Sequence, residues 1–127
     1  MGLLYEKEPY EIRGACFKIW DVFGNSYKES IVDKALSVEL RGRGLDVDEQ
    51  KRINIYYNGQ KVGTYVPDKV VNGKIIVELK SKPFLTDGDV KQFWRYLKGS
   101  DFKLGFLVNF GTKLEIKRVV YDTARSA

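Results

Sequence analysis

Hydrophobic periodicity changes once along this chain, at Gly42-Arg43-Gly44, and that change limits the fold more than any other feature. Before it, apolar side chains recur every three to four residues, the spacing that gathers them on one side of an α-helix. After it, short alternating runs are punctuated by Asn58-Gly59 and Asn72-Gly73, dipeptides that take the positive φ values of tight hairpins. The chain therefore reads as α/β, helices first and paired strands after. At 127 residues and 43% hydrophobic, it is long enough to bury a core. With no repeat, low-complexity tract or linker, residues 1–127 read as a single domain.

The first helix is expected from near Pro9, with Ile12, Ala15, Cys16, Ile19 and Phe23 on its apolar side and Gly24 as its stop. A second is expected over Tyr27–Arg43. Ser26 and Glu29 have capping-box spacing at its start, and Ile31, Ala35 and either Val38 or Leu36 with Leu40 can face a core. Arg52–Tyr57 and Lys61–Val66 flank Asn58-Gly59-Gln60, and Val70-Val71 and Ile75–Val77 flank Asn72-Gly73, which together imply an antiparallel meander. Thr86 and Asp89 then cap a helix running to Lys98. Leu104–Val108 reads as a strand buried on both faces, and Leu114–Val120 as the last strand. A strand, a crossover helix and a buried strand imply a parallel pair with a right-handed connection. The expected order is ααβββαββ.

Composition removes several chemistries. The chain has no histidine, so imidazole bases and His-metal centres are excluded, leaving carboxylates and lysine as the main catalytic groups. Cys16 is the only cysteine and reads as a small core residue, without a disulfide or a zinc cluster. No apolar run is long enough to span a bilayer, and Met1–Glu6 lacks the basic and hydrophobic regions of a leader, so an intracellular, cytoplasmic protein is expected. The net charge of +5 favours polyanionic partners where Lys and Arg gather near the chemistry.

One constellation stands out. Pro67-Asp68 is followed, ten residues on, by Glu78-Leu79-Lys80. Strand alternation puts Glu78 and Lys80 on one face, opposite Val77 and Leu79. A two-residue Asn72-Gly73 loop would pair Asp68 with Val77 and aim it away from Glu78. A three-residue Val71-Asn72-Gly73 loop with Gly73 left-handed would pair Asp68 with Ile76 and bring the carboxylates together, so an irregular hairpin is expected. Two convergent carboxylates suit a hard cation such as Mg2+ or Mn2+, and Lys80 could orient water or stabilise a phosphate in transition. Alternating Glu and Lys on a solvated strand face, with Asp68 serving a turn, is the competing reading. On the following helix Gln92 and Tyr96 share one face, while Lys91, Arg95 and Lys98 form another stripe suited to phosphates.

Taken together these residues resemble the PD-(D/E)xK nuclease superfamily, and within it the small GxxExxY proteins, over nearly the whole chain. The resemblance is carried by the helix containing Glu29, by Pro67-Asp68, Val77-Glu78-Leu79-Lys80 and Gln92-x-x-x-Tyr96, and by Leu107–Gly111 with Leu114–Arg118. The Gln-x-x-x-Tyr element resembles the RecB-like and Cas4-like branch. In the family's signature a glycine stands at Ser26 and a tyrosine at Val32.

The resemblance implies a restriction-endonuclease-like fold, a mixed central sheet flanked by helices, and metal-dependent hydrolysis of phosphodiesters, DNA before RNA, leaving a 5′ phosphate. It implies Asp68, Glu78 and the Leu79 carbonyl as ligands of Mg2+ or Mn2+, with Glu29 as a further candidate. Lys80 would be the catalytic lysine, with Gln92 and Tyr96 supporting the substrate or the site. A catalytically weak nucleic-acid-binding module is the alternative. A homodimer or protein partner, met by exposed Tyr56, Tyr57, Trp94 and Phe110, is a further expectation.

Overall fold

Helix α1 spans Lys7–Phe23 in the computed structural model, which describes residues 5–121. The helix starts two residues before Pro9, which sits in the first turn, where a missing N–H costs no helical bond. Gly24, at φ 59°, ends it as expected. Ile12, Ala15, Cys16 and Ile19 are buried, and burial pushes the Cys16 thiol up to about 12, leaving it an inert core group. Residues 1–4 of the expected leaderless start lie outside the described residues.

Helix α2 spans Glu29–Gly42, shorter at its start than the expected Tyr27. Lys28, in extended backbone, is its N-cap and no side chain caps it, so the Ser26–Glu29 capping box does not form. The buried stripe is Val32, Leu36 and Leu40, so of the two alternatives Leu36 with Leu40 is the one used and Val38 is exposed, while Ile31 is exposed contrary to expectation. The sequence offers two adjoining apolar stripes on this helix, and packing uses one of them.

The main sheet has the order β1-β4-β5-β6-β7, where β1 is Val47–Asp48, β4 Lys69–Val71, β5 Ile75–Lys80, β6 Leu104–Phe110 and β7 Leu114–Val120. Strand β5 runs parallel to β6 and the other pairs are antiparallel, so the sheet is mixed. The continuous meander is not formed. Strands β2 (Ile53–Tyr57) and β3 (Gln60–Tyr65) make a separate two-stranded ribbon, and β4 pairs with the edge strand β1 instead. Pro67, between β3 and β4, lacks the N–H that a ladder through this segment would use. Read through the main sheet alone, the order α1, α2, β1, β4, β5, α3, β6, β7 spells ααβββαββ, but with the unexpected β1 in the place expected of the ribbon strands, which are inserted between β1 and β4.

Alternation along β5 divides the core in two. Ile75, Val77 and Leu79 pack with the buried residues of α1 and α2, while Ile76 packs with Phe93 and Leu97 of α3 (Asp87–Lys98). The Thr86–Asp89 capping box of α3 forms as expected. Strand β6 is buried along its whole length, which matches the apolar Leu104–Val108 run, and the strand continues two residues further through buried Asn109 to Phe110. Phe110 at its end is buried near Trp20 rather than exposed, because β6 lies inside the sheet. No helix among the described residues is long and apolar enough to cross a membrane.

Candidate active site

The β4–β5 hairpin is irregular, as the two carboxylates require. Lys69 pairs with Val77, Val70 with Ile76 and Val71 with Ile75, leaving Asn72-Gly73-Lys74 as the loop. Asn72 and Gly73 both have positive φ, 52° and 67°, and the Lys74 N–H donates to the Val71 carbonyl at 3.1 Å. The turn is thus a tight two-residue one with one extra residue behind it. Asn72 fixes it in place, since its side-chain oxygen accepts from the Asp46 N–H and its amide donates to Glu8. Continuing this ladder by one pair sets Asp68 opposite Glu78, not opposite Ile76 as expected. The two registers differ by an even step, so the shared face is retained.

Asp68 and Glu78 meet through crossed hydrogen bonds. The Asp68 N–H donates to Glu78 Oε1 at 2.9 Å, and the Leu79 N–H donates to Asp68 Oδ2 at 2.7 Å. Burial, and then the charge of Asp68, pushes the Glu78 carboxyl up to about 7, against the smaller opposing pulls of the Asp68 N–H, Lys80 and Tyr65. The site therefore holds two acids that resist being ionised together.

Glu78 and Lys80 line a small cleft with Asp89, Gln92, Phe93, Tyr96 and Leu107, so Gln92 and Tyr96 share a cleft with Glu78, while Asp68 lies outside its lining. Against one lining residue, Tyr96, packs a residue that the sequence did not single out. Tyr65, the last residue of β3, is buried and stacks on Tyr96 with ring centroids 4.0 Å apart and planes 7° from parallel. Its hydroxyl lies toward Glu78, yet no described polar atom meets it with hydrogen-bond geometry. Burial, followed by the charge of Glu78, raises this phenol far above its usual range. Its one sequence signal is its place two residues before Pro67; contact with Tyr96 is a matter of tertiary packing.

Glu29 opens α2 at the edge of the site. Its carboxyl is raised by partial removal from water and then by the charges of Asp68 and Asp33, while Lys80 pulls it down. With the capping box absent, no local hydrogen bond accounts for this glutamate. Among the described residues no group of three or more Asp, Glu, His or Cys side chains is arranged to hold an ion. Lys91, Arg95 and Lys98 are exposed on the outer side of α3, where Lys98 Nζ sits 5.4 Å from the Trp94 ring centre.

The chain leaving β5 is tied down from the sheet. Buried Asn109 accepts from the Lys82 N–H and donates to the Lys82 carbonyl and to Glu115, which also accepts from the Leu85 N–H. Gly111 leaves room for this loop, because a Cβ there would meet the Lys82 carbonyl oxygen at 2.0 Å. Lys82 in turn pairs with Asp89 at 2.6 Å, holding that carboxyl down at about 2 and joining the loop to the start of α3. The segment between Lys80 and Gln92 is thereby anchored at both ends.

A profile of the PD-(D/E)XK nuclease superfamily matches residues 6–119, from the first turn of α1 to the end of β7. The chain belongs to the PD-(D/E)XK nuclease superfamily. The mixed sheet, the three helices and the hairpin carrying Asp68, Glu78 and Lys80 are consistent with that superfamily's restriction-endonuclease-like fold. Membership supports a nuclease-type function, acting on nucleic acid. No curated protein and no solved structure matches the chain significantly.

Proposed function

We propose that this protein is a cytoplasmic, metal-dependent nuclease that hydrolyses phosphodiester bonds, in DNA before RNA. The observation that carries the reading is the crossed Asp68–Glu78 pair, held beside Lys80 in a chain of a nuclease superfamily. Two half-buried carboxylates, one of them raised by burial and by the other's charge, fit a hard divalent cation, which would relieve that repulsion. Asp68, Glu78 and the Leu79 carbonyl would hold Mg2+ or Mn2+. The bound ion would stabilise charge on the phosphate and make its water a better nucleophile.

The remaining roles belong to the chain itself. Lys80 shares the cleft with Glu78, and its Nζ can donate to a phosphate oxygen or orient the attacking water. Gln92 offers an amide to the substrate from the opposite wall, and Tyr96, braced by Tyr65, fixes that wall's position. Lys91, Arg95 and Lys98 offer positive charge to the strand beyond the cut. In-line attack by water opposite the 3′ oxygen leaves a 5′ phosphate. Gln92 and Tyr96 on the Glu78 cleft support kinship with the RecB-like and Cas4-like branch, and Glu29 at the site's edge supports a GxxExxY relationship.

The test is incubation of purified protein with single- and double-stranded DNA and RNA, with Mg2+ or Mn2+, beside Asp68→Ala and Lys80→Ala. The expected result is cation-dependent cleavage, strongest on DNA, reduced about a hundredfold or more in both variants. An absence of cleavage by wild type, or equal cleavage by both variants, contradicts the reading.

A further inference from the structure

We propose that the β2–β3 ribbon is a binding arm for a single-stranded segment of nucleic acid lying beside the cleavage site. The substrate class rests on the nuclease reading above. The ribbon is a sheet of its own, joined to the molecule at its root and free at its tip. At the root, Ile53 and Tyr65 are buried in the core shared with Phe93 and Leu97, and Ile55 packs against it. At the tip, Tyr56, Tyr57 and Val62 are 59%, 75% and 63% exposed. The pairing shifts between Ile55 and Tyr56, with Ile55 opposite Gly63 and Tyr56 opposite Lys61, so Val62 is an extra residue that bends the ribbon.

Charge decides which occupant fits. Residues 51–67 contain Lys51, Arg52 and Lys61 and no acidic residue. Lys51, Arg52 and Tyr56 also line a cleft of about 430 Å3 against Ser100, Asp101 and Phe102, just beyond the end of α3, where the two cations outnumber the one acid. Lysine is depleted from the centres of protein–protein interfaces, whereas lysine and arginine interleaved with aromatic rings suit a phosphate backbone with unpaired bases. Bases in an intact duplex already stack on one another, so exposed tyrosines favour a single strand. Tyr65 links this arm to the chemistry, as its ring stacks on Tyr96 and its hydroxyl lies toward Glu78. A strand held on the ribbon is thereby led toward the cleft.

The test is fluorescence anisotropy with a short labelled single-stranded oligonucleotide and its duplex, in EDTA so that cleavage plays no part. The Tyr56→Ala/Tyr57→Ala variant is expected to bind the single strand about tenfold or more weakly and the duplex within about twofold of wild type. Tyr56→Phe/Tyr57→Phe, which keeps the rings, should bind like wild type. Lys61→Ala should reduce the salt slope of single-strand binding by about 0.7, one phosphate contact.

Wild-type affinity in the double alanine variant, or equal losses on single strand and duplex, would overturn the proposal. If that variant fails to fold, an unchanged affinity and salt slope in Lys61→Ala overturns it equally. A wild type that binds through the tyrosines but cleaves nothing would sink the nuclease reading alone. One that cleaves, with binding untouched by any of these variants, would sink the ribbon proposal alone.

Discussion

Asp68 and Lys69 are neighbours in sequence, but the hairpin sends them to opposite faces of the sheet, where charge is handled in opposite ways. Lys69 is fully buried, on the face of Val77, and its ammonium is met by Asp33 of α2. Asp68 lies beside a second acid, its N–H donating to the Glu78 carboxylate while its own carboxylate accepts from the Leu79 N–H. One face thus neutralises its buried charge from within the chain, and the other assembles like charges and leaves Glu78 raised. A buried charge with a partner is a structural element, whereas a half-buried like-charged pair costs stability and suits an external cation. Helix α2 serves both faces from one stripe, with Asp33 toward Lys69 and Glu29, one turn earlier, toward Asp68.

The largest effect on stability is expected on the Lys69 face. Asp33→Ala would leave a fully buried ammonium unpaired, costing about 3–5 kcal/mol in denaturant unfolding. Replacing both partners, Asp33→Ala with Lys69→Met, should recover most of that loss. If Asp33→Ala unfolds like wild type, the two faces do not differ as described.

Glu78→Gln should act in the opposite direction. In the unfolded chain this carboxyl titrates near its ordinary 4.5, and in the folded protein near 7. Between those values the folded state binds more protons, so the wild type loses stability as pH rises through the window. Glutamine carries no such charge. The variant should therefore be more stable than metal-free wild type by about 1–3 kcal/mol at pH 8, discounted for its lost hydrogen-bond strength, with the difference vanishing below pH 4. It should also be inactive. A variant less stable than wild type at pH 8 would remove the electrostatic half of the comparison.

The smallest change in stability is expected for Glu29→Gln, under about 1 kcal/mol, because this exposed residue neither caps α2 nor pairs with a buried cation. Its cleavage rate should nevertheless fall, by about tenfold if it shapes the field around Asp68. Unchanged kinetics would assign Glu29 to the solvated surface.

Much of this was legible from local signals. The α3 capping box, the apolar Leu104–Val108 run of β6 and the positive-φ Asn72-Gly73 turn depend on neighbouring residues, and each formed where the sequence placed it. The Asp68, Glu78 and Lys80 spacing was readable for the same reason. What was hidden depends on distant partners. The two-residue β1 carries no alternation to detect, and the split between ribbon and main sheet follows from which edge β4 finds. Nothing local marks Lys69 as buried, because its partner Asp33 lies thirty-six residues away. Tyr65 needed the ribbon's root folded against α3 before its ring could meet Tyr96. Even the Glu29 expectation turned on where α2 begins, and sequence placed that start two residues too early.

The central claim is that Asp68 and Glu78 form a cation site. Calorimetric titration of Mn2+ into wild type, Asp68→Asn and Glu78→Gln at neutral pH, in buffers of different ionisation heat, tests it most directly. The account predicts that wild type binds Mn2+ with release of protons as Glu78 ionises, and that both variants lose this binding. Failure of wild type to bind Mn2+, or binding that survives unchanged in both variants, would contradict it.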